Sequence, residues 1–280
     1  MDIKRAFKGF AAAALLAAGF AGNAPADDAK TVKIGVAPGP YGQLVKLAIQ
    51  PGLEKKGYKV EIVQFQDWVQ PNLALGNGDV DVNVFQHSLY LAKFSADHGL
   101  KLSPVISIPT AELGFYSQKA KSLSDLKKDD EVTLASDPTN LARSLTFLQK
   151  AGLIKLKGDV DPTKSTIHDI AENPKGLRFT PTEAAQLPRT LDGVAASVVP
   201  GNYAIAAGLK LADALVLETL DEPHKNIVAA RTADLDKAFV ADIKSVVGSK
   251  EFHAVVADPK NGFSAFQLPE WYVKKWGAVK

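Results

Sequence analysis

VQFQDWVQPNLALGNGDVDVNVFQHSLYL, residues 63–91, is the stretch whose reading decides the fold. An apolar strand over residues 60–65 runs into Trp68. A short helical stretch and a Gly76-Asn77-Gly78-Asp79 turn follow, and the alternation from Asp79 to Phe85 marks a second strand that ends at Gln86-His87. Strand, helix and strand at this spacing form a βαβ unit with parallel strands. Trp68, Phe85, His87 and Tyr90 then fall where strands and loops end, and α/β proteins bind their ligands at such ends. Four rings with a few polar groups suit a small molecule that is part apolar and part charged.

The same pattern extends in both directions. Val32–Ala37 reads as a first strand ending in Pro38-Gly39-Pro40, followed by helical periodicity over Tyr41–Lys56 and a stop at Gly57. Lys59–Phe65 and Val80–Phe85 are the second and third strands, Leu89–Asp97 a helix and Leu102–Ile108 a further strand. A second unit opens at Glu131–Ala135. There Asp137-Pro138-Thr139-Asn140 is a helix start, leading into Leu141–Ala151 and a stop at Gly152. Gly193–Val199 and Ile227–Ala230 read as strands, and Tyr203–Ala207, Leu235–Val247 and Lys250–Val256 as helices. Two such units predict an α/β protein of two lobes with a ligand cleft between them. Residues 30–110 form one lobe, 111–225 the second, and 226–280 return to the first.

The N-terminus speaks to compartment. Lys4, Arg5 and Lys8 precede an apolar run from Phe10 to Phe20, and Ala24-Pro25-Ala26 supplies an A-x-A cleavage site. Residues 1–26 therefore read as a secretory signal peptide, its apolar run shorter than the roughly 20 residues of a spanning helix. The chain has no cysteine, which removes disulfides, thiolate metal sites and a lipid-bearing N-terminal cysteine. Its net charge of +2 is carried by the leader, so nothing points to nucleic acid. What remains is about 250 residues, enough for two lobes.

Arg143 leads the candidate site residues, lying in the first turn of the helix opened by Asp137–Asn140. Helix-start N–H groups and a guanidinium both favour an anion, and arginine can hold a carboxylate through two parallel hydrogen bonds. A surface ion pair is the plainer alternative for Arg143. Core packing is the plainer one for each aromatic residue, and a satisfied structural histidine for His87. No two of the five histidines have the spacing of a helical zinc site, no hydrolase or phosphate-loop motif is present, and Asp79 and Asp81 read as a solvated strand face. No metal, cofactor or catalytic group is expected.

The segments FQDWVQPNLALGNGDVDVNVFQHSLYL, DPTNLARSLTFLQKAGLIKL, IAENPKGLRF and EAAQLPRTLD, with weaker VKIGVAPGP and LGFYSQK, resemble in order the NlpA/MetQ family, the methionine-binding proteins of ABC importers. The resemblance implies a periplasmic, type II-like, two-lobed binding protein that closes on its ligand and docks on a membrane permease. It implies a thioether pocket at Trp68, Phe85, His87 and Tyr90 and a carboxylate held by Arg143, beside Asn140 on the same helix. It further implies two asparagines on the amino-acid backbone. One is Asn226; the other falls at Pro200, so either one ligand hydrogen bond is lost or Asn202 supplies it from a shifted turn. Trp68 stands where those relatives carry tyrosine. The expected protein is a soluble monomer that binds methionine, or another small carboxylate-bearing or apolar metabolite. A periplasmic lyase or isomerase is the remote third reading.

Overall fold

Alternating apolar residues in Lys30–Val36 and Tyr58–Gln64 let these two strands pair in parallel along their whole length, Lys30 opposite Tyr58 and Val36 opposite Gln64. The structure, a computed structural model, describes residues 30–278; the leader read at residues 1–26 lies outside them. In chain order the strands are β1 (Lys30–Val36), β2 (Tyr58–Gln64), β3 (Val82–His87), β4 (Leu102–Ser107), β5 (Gly114–Tyr116) and β6 (Glu131–Ala135). They continue with β7 (Lys155–Leu156), β8 (Ile170–Glu172), β9 (Arg178–Thr182), β10 (Ala196–Val199), β11 (Val216–Leu217) and β12 (Asn226–Arg231).

Two five-stranded sheets result, in the orders β2-β1-β3-β12-β4 and β11-β5-β10-β6-β9. In the first, β1, β2 and β3 are parallel, and β12 slots antiparallel between β3 and β4. In the second, β10, β6 and β9 are parallel and β5 is antiparallel to β10 and β11. Each sheet has its own core. Ile34, Val36, Leu44, Val84 and Val228 pack with Val240, Phe252, Phe263 and Tyr272 from the C-terminal segment, whereas Leu113, Phe115, Val132, Leu145 and Val198 form a separate cluster. Separate cores on separate sheets make a two-lobed α/β fold, as the sequence predicted. No helix among the described residues is long and apolar enough to cross a membrane.

The chain passes between the sheets twice, over residues 108–113 and 218–225. These crossovers are bound to each other: Glu218 donates its N–H to the Leu113 carbonyl, and Leu113 returns its N–H to a Glu218 carboxylate oxygen. Gln267 holds both. It exchanges backbone hydrogen bonds with Thr110, its Nε2 donates to the Glu218 carbonyl and to Glu112, and its Oε1 accepts from Leu220.

Two local expectations shift. The third strand starts at Val82 rather than Val80, because Asp81 accepts the Lys33 N–H and pairs with Arg231 instead of joining a solvated strand face. The strand ends on His87. The helix after Pro40 is not uniform: it is α-helical over Tyr41–Leu44, π-helical over Val45–Ile49 and α-helical again over Gln50–Glu54.

Candidate functional site

The cleft between the lobes holds a small cavity. It is lined by Tyr41, Trp68, Phe85, Gln86, His87, Tyr90, Ala111, Asn140, Arg143, Pro200, Gly201, Asn202 and Asn226. All eight candidate residues read from the sequence therefore share one cavity. The first lobe contributes the rings, the second contributes Asn140, Arg143 and Asn202, and Asn226 stands where the second crossover re-enters the first sheet.

His87 ends β3 and caps the helix Ser88–His98. Its Nδ1 accepts the Tyr90 N–H at 3.2 Å, so the ring proton sits on Nε2, which points at Asn140 Oδ1 3.2 Å away. Burial, then the charges of Arg143 and His224, hold its pKa well below the ordinary 6.5. Both nitrogens of a neutral ring are thus engaged, which leaves His87 as a positioned donor rather than a base or metal ligand. Among the described residues no three histidines, cysteines or carboxylates gather into a metal site.

A pH dependence follows from His87. Its folded pKa lies below its unfolded value, so between the two the unfolded chain binds a proton that the folded chain does not. The stability tied to neutral His87 is complete above pH 6.5 and falls as the pH drops below it, by up to about 1.4 kcal/mol per pH unit. His224 has the same sign, while Glu112 and Asp137, with raised pKa values, have the opposite one. His87→Asn keeps a helix-capping side chain and isolates the histidine's share. Urea titrations at pH 7.5 and 5.5 are expected to show a smaller acid-induced loss in this variant than in the wild type.

Arg143 is buried, and it is already paired. Its Nε and Nη2 grip Glu218 at 2.9 and 2.6 Å, while Nη1 reaches Asn140 Oδ1 at 3.3 Å. The plainer reading of Arg143 as a surface ion pair is therefore wrong about the surface and right about the pair. Glu218 occupies the Nε–Nη2 edge of the guanidinium, so a ligand carboxylate has the Nη1–Nη2 edge to use. Asn140 is consumed in positioning: its Nδ2 donates to Asp137, and its Oδ1 receives both His87 and Arg143.

The two remaining asparagines differ. Asn226 donates Nδ2 to the Phe85 carbonyl and its N–H is received by nothing but Thr110 Oγ1; its Oδ1 accepts no hydrogen bond among the described residues. Asn202 donates Nδ2 to the Pro38 carbonyl at 3.0 Å, across the cleft onto the loop after β1. Asn202 is thus a lobe-to-lobe tie with only its Oδ1 left over. Pro200 caps the helix Gly201–Ala206 with no side-chain hydrogen bond.

The rings form one continuous wall. Trp68 meets Tyr90 edge-on at 5.9 Å and lies 4.9 Å from Tyr203 of the second lobe, and Phe85 meets Tyr90 edge-on at 6.2 Å. The Tyr90 hydroxyl donates to the Trp68 carbonyl.

Glu218 is the residue that sequence reasoning missed. It lies 75 positions from Arg143. The one available signal was a lone acid in the apolar run from Ala214 to Leu220.

A family model described as NlpA lipoprotein matches residues 32–271. The probable D-methionine-binding lipoprotein MetQ of Vibrio cholerae is 40% identical over 242 residues, 86% of this chain and 89% of that one. The D-methionine-binding lipoprotein MetQ of Escherichia coli K12 is 38% identical over 262 residues, 91% and 96% of the two chains. Among solved structures, a nutrient-binding protein from Burkholderia cenocepacia bound to methionine superposes with a TM-score of 0.78 at 37% identity, covering 83% of this chain and 98% of that one. The methionine-binding protein MetQ does so with 0.80 at 38% identity, covering 87% and 100%. Matched over nearly its whole described length, this chain belongs to the NlpA lipoprotein family.

Proposed function

We propose that this protein is the periplasmic substrate-binding component of an ABC importer and captures methionine or a closely related amino acid by lobe closure. It is a binding protein and not an enzyme. The observation that carries the reading is the convergence of aromatic residues from one lobe and Arg143 from the other on a single closed cavity. That cavity belongs to a chain similar to a methionine-bound nutrient-binding protein.

In this reading residues 30–110 and 226–280 form one lobe and 111–225 the other. The rings of Trp68, Phe85 and Tyr90 surround the ligand's side chain, and the free edge of Arg143 takes its carboxylate. The Oδ1 atoms of Asn226 and Asn202 accept from its ammonium, and Asn140 and His87 hold Arg143 in place. Closure is favoured because the ligand touches both lobes only in the closed form. The chain acts as a monomer, delivering its cargo to a membrane permease. The given residues hold no cysteine thiol for a lipid, which supports a form without one.

Titration calorimetry on protein taken from osmotic-shock fluid without detergent tests this reading. Saturable binding of L- or D-methionine at one site per chain is the expected result. Absence of heat and of any thermal shift with both would overturn it. Pro200 favours a second reading, since proline contributes neither a side-chain polar group nor an N–H where the ammonium would be held. A different small carboxylate, identified by mass spectrometry of ligand carried through purification, would establish that alternative.

A further inference from the structure

Trp68 packs against two apolar clusters that belong to different lobes. On its own side it lies with Phe85 and Tyr90, and across the cleft it lies on the cluster that holds Leu187, Val199 and Tyr203. The turn that presents it is fixed: Asp67 Oδ1 accepts the N–H groups of Val69 and Gln70, and the Trp68 carbonyl receives the Tyr90 hydroxyl. Opposite stands the helix Gly201–Ala206, whose Asn202 ties to Pro38 and whose Ile205 packs on the first lobe's core. Tyr203, on the same helix, is buried and meets the Trp68 ring at 4.9 Å with the planes tilted by 33°. It has no place among the residues that line the ligand cavity. Neither Trp68 Nε1 nor the Tyr203 hydroxyl has a hydrogen-bond partner among the described residues, so ring packing carries the contact.

We infer that the Trp68–Tyr203 contact is a latch between the lobes, which makes Tyr203 a positioning residue that sets affinity without touching the ligand. The contact joins protein to protein, so it favours the closed form whether or not the cleft is filled. In the liganded chain it slows opening, and with it release. In the ligand-free chain it raises the closed fraction. This rests on the proposed capture by lobe closure and adds to it that closure is held from outside the ligand cavity. The Asn202 tie and the Ile205 packing stay in place when Tyr203 is changed, so the latch is one part of the closing force.

The test joins stopped-flow release of L-methionine with lobe separation in the ligand-free chain, read by pulsed electron spin resonance. Because the chain holds no cysteine, Lys55→Cys in the first lobe and Lys127→Cys in the second, both at exposed positions, carry one label each. Tyr203→Leu is expected to release L-methionine about 2- to 12-fold faster without slower association, and to lower the ligand-free closed fraction. Tyr203→Phe keeps the ring and drops only the unpartnered hydroxyl, and it is expected to behave as the wild type. Equal ligand-free closed fractions in the wild type and a folded Tyr203→Leu chain overturn the inference, whatever the release rates. Unchanged release overturns it too. In a Trp68→Leu background Tyr203→Leu should add nothing to the ligand-free opening, and an added effect of full size there overturns the pairing. If Tyr203→Leu does not fold, Trp68→Leu, at a half-buried position, decides the same ligand-free comparison. If L-methionine fails to bind the wild type, the amino-acid reading fails, while the ligand-free separations still decide the latch.

Discussion

Arg143→Ala is expected to cost the protein about 3–5 kcal/mol of folding stability in addition to its ligand, because the substitution strands a buried acid. Glu218 and Arg143 are both almost fully buried, and their contact is two-pronged. Removing the guanidinium leaves the Glu218 carboxylate with one backbone N–H, from Leu113, as its remaining partner. Loss of binding in Arg143→Ala would therefore not by itself assign a ligand role to the arginine. The double variant Arg143→Met/Glu218→Leu separates the two effects. Replacing a buried ion pair by apolar residues of similar size is often neutral or stabilising, so the double variant should recover most of the lost stability in urea titrations. Its affinity should remain lower than that of the wild type by about 2 kcal/mol or more, since the charge-assisted contact to the ligand carboxylate is gone. A stable double variant with wild-type affinity would remove Arg143 from the binding role. A double variant as unstable as Arg143→Ala would show that the pair does more than satisfy itself.

Gly39→Ala is expected to weaken binding by a further large factor through a different route. Gly39 lies in the loop after β1 with φ at +120°, a region that side chains with a Cβ rarely adopt. A Cβ built there would stand 2.7 Å from the Asn202 carbonyl oxygen and 2.8 Å from the Asn202 Cβ, atoms of the opposite lobe. The lobes meet closely at this point, and the Asn202–Pro38 hydrogen bond forms beside it. Backbone strain acts on open and closed forms alike, at roughly 1–3 kcal/mol. The clash acts only on the closed form. Overpacking of this kind costs about 1–3 kcal/mol, and a smaller closed fraction lowers apparent affinity in proportion. Calorimetry should show affinity lowered about 5- to 150-fold, and small-angle scattering should show a ligand-saturated protein more open than the wild type. Unchanged affinity in a folded Gly39→Ala protein would mean that this contact does not belong to the ligand-bound state.

Much of this site was legible because it is local in sequence. Trp68, Phe85, His87 and Tyr90 fall within one strand–helix–strand unit whose periodicity sets where each strand ends. Asn140 and Arg143 sit one turn apart at a helix start that Asp137 and Pro138 announce. What escaped was long-range pairing. Glu218, a lone acid in an apolar run, gives no sign of its partner until the fold brings it to Arg143. Asn202 reads as a substitute ligand group with a whole amide to offer, yet its Nδ2 is spent on Pro38, 164 positions away, leaving only Oδ1. Asp81 reads as a solvated strand residue because the alternation around it is regular. Its carboxylate is instead taken up by the Lys33 N–H of β1 and by Arg231 of β12. In each case a charged or polar group was given its local meaning, and a distant partner changed it.

The position of Gln267 dictates an order of assembly. The second sheet uses strands from one uninterrupted segment, Gly114 to Leu217, whereas the first sheet and its core need β12 and the helices up to Trp276. A chain emerging N-terminus first can complete the inserted lobe while the lobe that began earlier still lacks its fourth strand in sheet order and much of its packing. The last polar tie across both crossovers arrives with Gln267, beyond β12 and the helix Lys250–Ala257. Until then the two halves are joined by connections without their clamp. The lobe that starts the sequence can fill its core only after the inserted lobe has been made.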